Sequence, residues 1–329
     1  MTLLAPTLQA FFTSRLMAQK NASPHTIASY RDCLRQLLTF AQAETGTRPS
    51  HLTFEQVDAV LVGAFLDHLE RGRGISISSR NTRLAAVHSL FQFAALRHPE
   101  HAELISRVLA IPAKRAHRAI VSFLTAEETG ALLASPDRAR PTGRRDHALL
   151  ALAVQTGLRV SELTSLRIAD VHLDTGPHVR CTGKGRKDRA TPLTRQTAEL
   201  MRGWLAERGG TGADPLFPGP RGAALGTDAV RRLIQRHAAA ASARCPSLTA
   251  KKISPHVLRH ACAMRMLESG IDLATISLWL GHENIRSTQA YLHAHLALKE
   301  KALARTAPAH TTGSRYHPPD SLLAFLEQL

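Results

Sequence analysis

The sequence predicts a mainly α fold with one small antiparallel β-sheet (α+β), divided into two domains. Three observations carry this expectation. Apolar residues recur at three- and four-residue spacing through most of the chain, strand-patterned runs are confined to one stretch near 171–193, and a proline with a burst of basic residues separates two helical blocks. At 329 residues and 44% hydrophobic content, the chain is long enough for each domain to bury its own core.

The first domain is expected over residues 1–112 as an all-helical unit. Its helical segments read "TLQAFFTSRLMAQK", "SPHTIASYRDCLRQLLTFAQAETG", "TFEQVDAVLVGAFLDHLERGRG" and "SSRNTRLAAVHSLFQFAALRHP". In the second of these Ser23 caps a helix with Pro24 at its first position, and Leu34, Leu37, Leu38 and Ala41 mark its apolar stripe. The segment "LAIPAKRAHRAIVSFLT", around 109–125, suits an exposed linker.

The second domain is expected over 113–305. Thr125 and Glu128 form a capping box at the head of "TAEETGALLAS", and "RDHALLALAVQTG" is apolar on most sides and stops at Gly157, as a buried helix should. The strand-like runs of "VHLDTGPHVRCTGKGRKDRATPL" break at Asp174-Thr175-Gly176 and at Gly183-Lys184-Gly185. Helical patterns then return through "TDAVRRLIQRHAAAA", "SPHVLRHACAMRMLESG", "DLATISLWLGH" and "STQAYLHAHLALKEKAL". A turn-rich tail over 306–329 closes on the short apolar stripe "SLLAFLEQL".

Lys and Arg number 42 against 26 Asp and Glu, a net charge of +16 that favours a polyanionic partner, nucleic acid before an anionic membrane surface. No stretch approaches the roughly 18 consecutive apolar residues of a spanning helix, and the N-terminus lacks the pattern of a signal peptide, so a cytoplasmic protein without membrane partners is expected. The four cysteines are scattered, which argues against disulfides and zinc fingers. Neither a phosphate-binding P-loop motif nor a dinucleotide fingerprint occurs, so no cofactor and no metal are expected, and whatever is done to nucleic acid needs no ATP.

Five features of the second domain follow one another in order: "TGLRVSEL" at 156–163, "GKGRKDR" at 183–189, "HVLRH" at 256–260, "LGHEN" at 280–284 and "AYLH" at 290–293. Each alone has an ordinary reading. His256 and His260 could be a metal pair on a helix face, although position 257 is Val and the H-E-x-x-H pattern is absent. Arg159 could be a helix-end charge, the basic hairpin a solvated tip, His282 a helix start, and Tyr291 a core aromatic.

Taken together, the order Arg, Lys, His-x-x-Arg, His, Tyr resembles the tyrosine recombinase and phage integrase family, in particular its Xer-like bacterial and mobile-element branch. The resemblance extends over nearly the whole chain, since that family also carries an N-terminal helical core-binding (SAM-like) domain that forms a DNA clamp with the catalytic one. It implies a site-specific recombinase that cleaves and rejoins DNA through a 3'-phosphotyrosyl bond, for integration, excision, transposition or resolution. The catalytic set it implies is Arg159, Lys184, His256, Arg259, His282 and the nucleophile Tyr291, with Glu162 in support.

The chemistry of these groups agrees. A tyrosine nucleophile keeps the phosphoester energy in a covalent bond, so resealing needs no cofactor. Guanidinium forks match the non-bridging oxygens of a phosphoryl transition state, and histidines can add donors or move the tyrosine proton. A lysine can protonate the departing 5' oxygen; Lys184 is the first candidate and Lys187 stays open. Lys20, Arg80, Asn81 and Arg83 in the first domain, with Arg186 and Lys187 in the hairpin, are expected phosphate contacts. The partners implied are double-stranded DNA carrying recombination sites and a tetramer, of one chain or with a related recombinase. His260 is set aside as a packing residue. A type IB topoisomerase that relaxes DNA, or a non-catalytic DNA-binding regulator on the same fold, are the alternatives. The extended tail points to a transposable element and to docking on a neighbouring protomer.

Overall fold

The computed structural model describes residues 2–115, 122–183 and 188–281, and the chain divides into two units, Met1–Arg118 and Ala119–Leu329. Each is described by itself.

The first unit is helical. Helix α1 (Leu4–Ala10) runs on through wider, π-type turns over Phe11–Gln19. Helix α2 (Pro24–Thr45) starts where Ser23 accepts from the Thr26 backbone N–H at 3.2 Å and stops at Gly46 in the left-handed conformation. Its predicted stripe faces inward through Leu34, Leu37 and Ala41. Helix α3 covers Ala59–Asp67, and α4 covers Ile77–Ala95 with Ser76 as its cap. Phe11, Phe54, Phe65 and Phe91 fill the core between them.

Two details differ from the sequence expectation. The third helix begins at 59, because Asp58 caps the Leu61 N–H at 2.8 Å and Gln56 holds the Thr53 N–H at 3.1 Å, which keeps 53–57 as a turn. A further helix, α5 (Ala102–Leu109), buries Ile105 and Val108 just ahead of the basic segment.

The second unit opens with α6 (Ala126–Ala134), whose capping box is formed as the sequence predicts: the Thr125 N–H donates to Glu128 at 2.8 Å and the Glu128 N–H to Thr125 at 3.2 Å. Helix α7 (Pro141–Thr156) is the buried axis of this unit, with Leu149, Leu150, Leu152 and Val154 in the core. Short helix α8 (Val160–Ser165) follows, then strands β1 (Val171–His172), β2 (His178–Thr182) and β3 (Asp188–Pro192). They form an antiparallel sheet in the order β1-β2-β3, with Val179 opposite Thr191 and Cys181 opposite Arg189. Helix α9 (Arg195–Arg208), which the sequence reading passed over, packs Met201 and Trp204 into the core. Helices α10 (Thr227–Ala241), α11 (Pro255–Glu268) and α12 (Leu273–Leu280) complete it, α11 lying along α7. Among the described residues, no helix is long and apolar enough to cross a membrane.

Gly157 ends α7 at φ +63°, and a Cβ there would stand 2.7 Å from Leu280 Cδ2 and 3.2 Å from Cys262 Sγ. Backbone conformation and space both demand glycine. Gly157→Ala should therefore destabilise the protein by about 1–3 kcal/mol in urea unfolding. Gly130→Ala inside α6, where a Cβ meets nothing within 4 Å, should stabilise it by about 0.5–1 kcal/mol.

Candidate active site

The site is built at helix ends. The carbonyls of the last turn of α7 have no partners within the helix, and side chains from α11 and α12 supply them. Arg265 donates to Val154 O at 3.3 Å, Cys262 to Gln155 O at 3.3 Å, Trp279 Nε1 to Thr156 O at 3.1 Å and Arg259 Nη1 to Gly157 O at 2.7 Å. Arg259, on α11, is 3% exposed, and its Nη2 donates to Leu280 O at 2.6 Å. Arg159, at the head of α8, sends Nη2 to the next carbonyl, Gly281 O, at 2.9 Å. Two guanidiniums expected from distant motifs thus hang on successive carbonyls at the negative end of α12.

Glu162 holds the second side of Arg159. Its Oε1 accepts from Arg159 Nη1 at 2.8 Å and its Oε2 from the Arg159 backbone N–H at 2.7 Å. The same carboxylate receives both ends of Arg189, at 2.9 and 2.7 Å. Burial alone would raise the Glu162 pKa, but Arg189 and the Arg159 backbone N–H and side chain bring it below the usual carboxylate value. Arg189 is a residue the motif reading missed. The strand pattern carried the signal: alternation puts Arg189 and Thr191 on the face of β3 that is turned inward, beside Val179 and Cys181.

His256 lies in the first turn of α11, its ring 5.8 Å from that of His260 and near-parallel at 23°. Crowding by protein on one side pushes His256 below the ordinary histidine range, with Arg259 and Arg159 adding to the effect. His260 is carried down to about 4 by burial, His256 and Arg259. Both rings are therefore neutral at pH 7, and a neutral ring can donate from one nitrogen and accept at the other. The structure thus ties Arg159 to Glu162 and both Arg159 and Arg259 to the end of α12, with His256 one turn before Arg259 on α11. Lys184, Arg186, Lys187, His282 and Tyr291 lie outside the described residues.

In the first unit the expected phosphate contacts separate. Arg80 is corrected: it is 5% exposed, with Nε 3.3 Å from Glu70, so it is a buried ion-pair partner. Asn81 bonds the backbone of Lys114 twice, at 2.7 and 3.1 Å, and serves as a latch. Lys20 is exposed, and Arg83 is half-buried with Nη1 on Ser79 O at 3.2 Å.

Because the Glu162 pKa is depressed in the fold, its contribution to stability is complete above the unfolded value of about 4.3 and is lost as pH falls through the folded one. Glu162→Gln should cost about 3 kcal/mol at pH 7, since it strands two guanidiniums. The gap to wild type should narrow below about pH 4, in urea titrations at a series of pH values.

Residues 122–297 match the phage integrase family, and residues 10–98 match the phage integrase N-terminal SAM-like domain. A protein of Sinorhizobium fredii named as an integrase/recombinase, y4rC, is 53% identical over 328 residues, covering 99% of this chain and 98% of its own. The tyrosine recombinase XerC of Pelobacter propionicus is 37% identical over 286 residues, 87% of this chain and 90% of its own. Among solved structures, the XerH site-specific recombinase bound to palindromic difH substrate has a TM-score of 0.66 at 23% identity, covering 87% of this chain and 81% of that one. The Tn1549 transposon integrase in complex with a circular intermediate DNA has a TM-score of 0.68 at 15% identity, covering 93% and 100%. These two share the fold. With its pocket of arginines and with relatives aligned along both domains, this chain belongs to the phage integrase family, the tyrosine recombinases.

Proposed function

We propose that this recombinase cuts and rejoins double-stranded DNA at specific sites, with Tyr291 as nucleophile. The observation that carries the reading is the pair of guanidiniums, Arg159 and Arg259, held on the successive carbonyls of Gly281 and Leu280. Two forks fixed side by side suit the two non-bridging oxygens of one phosphodiester. In the cleavage step the Tyr291 oxygen forms a bond to phosphorus as its proton leaves, with the neutral ring of His256 a fitting acceptor. The bond from phosphorus to the 5' oxygen breaks, and Lys184, or Lys187, returns a proton to that oxygen. The products are a 3'-phosphotyrosyl bond and a free 5' hydroxyl. Attack by a 5' hydroxyl from a partner strand reverses every transfer, so the phosphoester energy is retained and no nucleotide is consumed.

Exchange between two sites calls for four protomers, of this chain or with a related recombinase. Lys20, Arg83, Arg186 and Lys187 are proposed phosphate contacts, consistent with the net charge of +16. A role on a mobile element is part of the same proposal. The tail's Leu322, Leu323, Phe325, Leu326 and Leu329 form an apolar stripe suited to docking on a neighbouring protomer.

Incubation with labelled, nicked duplexes from the native genomic flanks tests the chemistry. Wild type should give a denaturant-stable covalent adduct, and Tyr291→Phe should bind equally in a gel shift yet give none. Binding by both without an adduct on any DNA would instead favour a regulator. Removal of residues 318–329 should impair synapsis more than single-site binding; equal loss of both would contradict docking of the tail.

A further inference from the structure

Glu162 has two guanidinium partners, and they stand in different places. The side chain of Arg159 is 27% exposed and that of Arg189 only 13%, against 3% for the carboxylate between them. Arg189 uses the full fork, Nη1 to Oε1 and Nη2 to Oε2, whereas the Arg159 side chain gives Glu162 a single bond and turns its other terminal nitrogen to Gly281. The better-matched pair is therefore the buried one.

The charge count gives this arrangement a consequence. One carboxylate beside two guanidiniums leaves a net positive charge, located at the more exposed of the two. Without Arg189, Arg159 and Glu162 would form a neutral pair, and a phosphate would have to compete with a buried carboxylate for the same fork. Arg189 also lies against the peptide that receives Arg159. A Cβ on Gly281 would stand 2.9 Å from Arg189 Nη1 and 3.2 Å from its Cζ. Gly281 has φ +63°, so both its conformation and the guanidinium over it require glycine.

We propose that Arg189 is a positioning residue for strand cleavage: its two-point pair with Glu162 leaves the charge of Arg159 uncompensated for the scissile phosphate, and its contact with Gly281 fixes the carbonyl that orients Arg159. This rests on the reading of Arg159 as a phosphate ligand given above.

The test compares two nicked duplexes that differ at one atom. One carries the ordinary scissile phosphodiester; the other carries a methylphosphonate there, whose phosphorus lacks one charged non-bridging oxygen and so makes less demand on a guanidinium. Arg189→Met keeps the length of the side chain and loses the fork. It should form adduct about 10–100-fold more slowly than wild type on the phosphodiester. On the methylphosphonate most of that loss should vanish, with gel-shift affinity unchanged. Arg189→Lys, which keeps the charge without the two-point geometry, should recover part of the phosphodiester rate. Since both substrates are read on one preparation, a misfolded fraction cancels from the ratio. Equal losses on the two substrates, or full activity of Arg189→Met on the phosphodiester, would overturn the proposal. An Arg159→Ala control that gains no relief on the methylphosphonate would remove Arg159 from the phosphate and this inference with it. A wild type inert on both duplexes would sink the strand-transfer reading itself.

Discussion

Four carbonyls at the end of α7, from Val154 to Gly157, set the terms for the catalytic unit. A buried helix cannot leave its last acceptors empty, because each would forfeit a hydrogen bond it has in water. The donors come from α11 and α12, and Arg265, Cys262, Trp279 and Arg259 provide them in chain order of the acceptors. The requirement runs in the other direction as well. Arg259 stays charged at any working pH, so burying it is tolerable only where oxygen acceptors surround it. Helix termini satisfy both demands at once, which explains why a fold made almost wholly of helices collects its cations where those helices stop.

The resulting pocket is out of electrostatic balance in a useful way. Arg159, Arg189 and Arg259 face one carboxylate, and His256 and His260 remain neutral. Burial is the main cause of the depressed histidine pKa values, and the neighbouring positive charges add to it. The arginines are held in place by backbone carbonyls and by Glu162, so under the proposed function little reorganisation would be needed when a phosphodiester arrives.

Local signals made much of this legible. Ser23-Pro24, the Thr125–Glu128 box and Gly157 declared helix boundaries that the structure reproduces, because caps and stops are decided within a few residues. Arg159, Glu162, His256 and Arg259 could be selected from short motifs, and they meet. Arg80 could not be read correctly, because "SSRNTR" looks like an exposed helix start and its burial depends on Glu70, ten residues upstream on another element. Arg189 closes the basic hairpin motif, but its partner is a residue 27 positions away, which the motif does not reveal. Helix α5 falls between the fourth helical segment and the linker, where eight residues next to a basic run make a weak pattern. Helix α9 was legible in principle, with Thr194 as its cap and Ala198, Met201 and Trp204 at three-residue spacing, but it follows the strands so closely that the change of period was missed.

Chain connectivity adds a last constraint. Gly281 stands beside both arginines: its carbonyl accepts from Arg159, and a Cβ on it would lie 2.9 Å from Arg189 Nη1. The left-handed turn at Gly281 ends α12 where the carbonyls of Leu280 and Gly281 each receive an arginine from elsewhere in the chain, Arg259 from α11 and Arg159 from the head of α8. Residues 122 positions apart in sequence are thereby tied at one helix end, so the placing of these arginines is settled by the packing of the helices that carry and receive them.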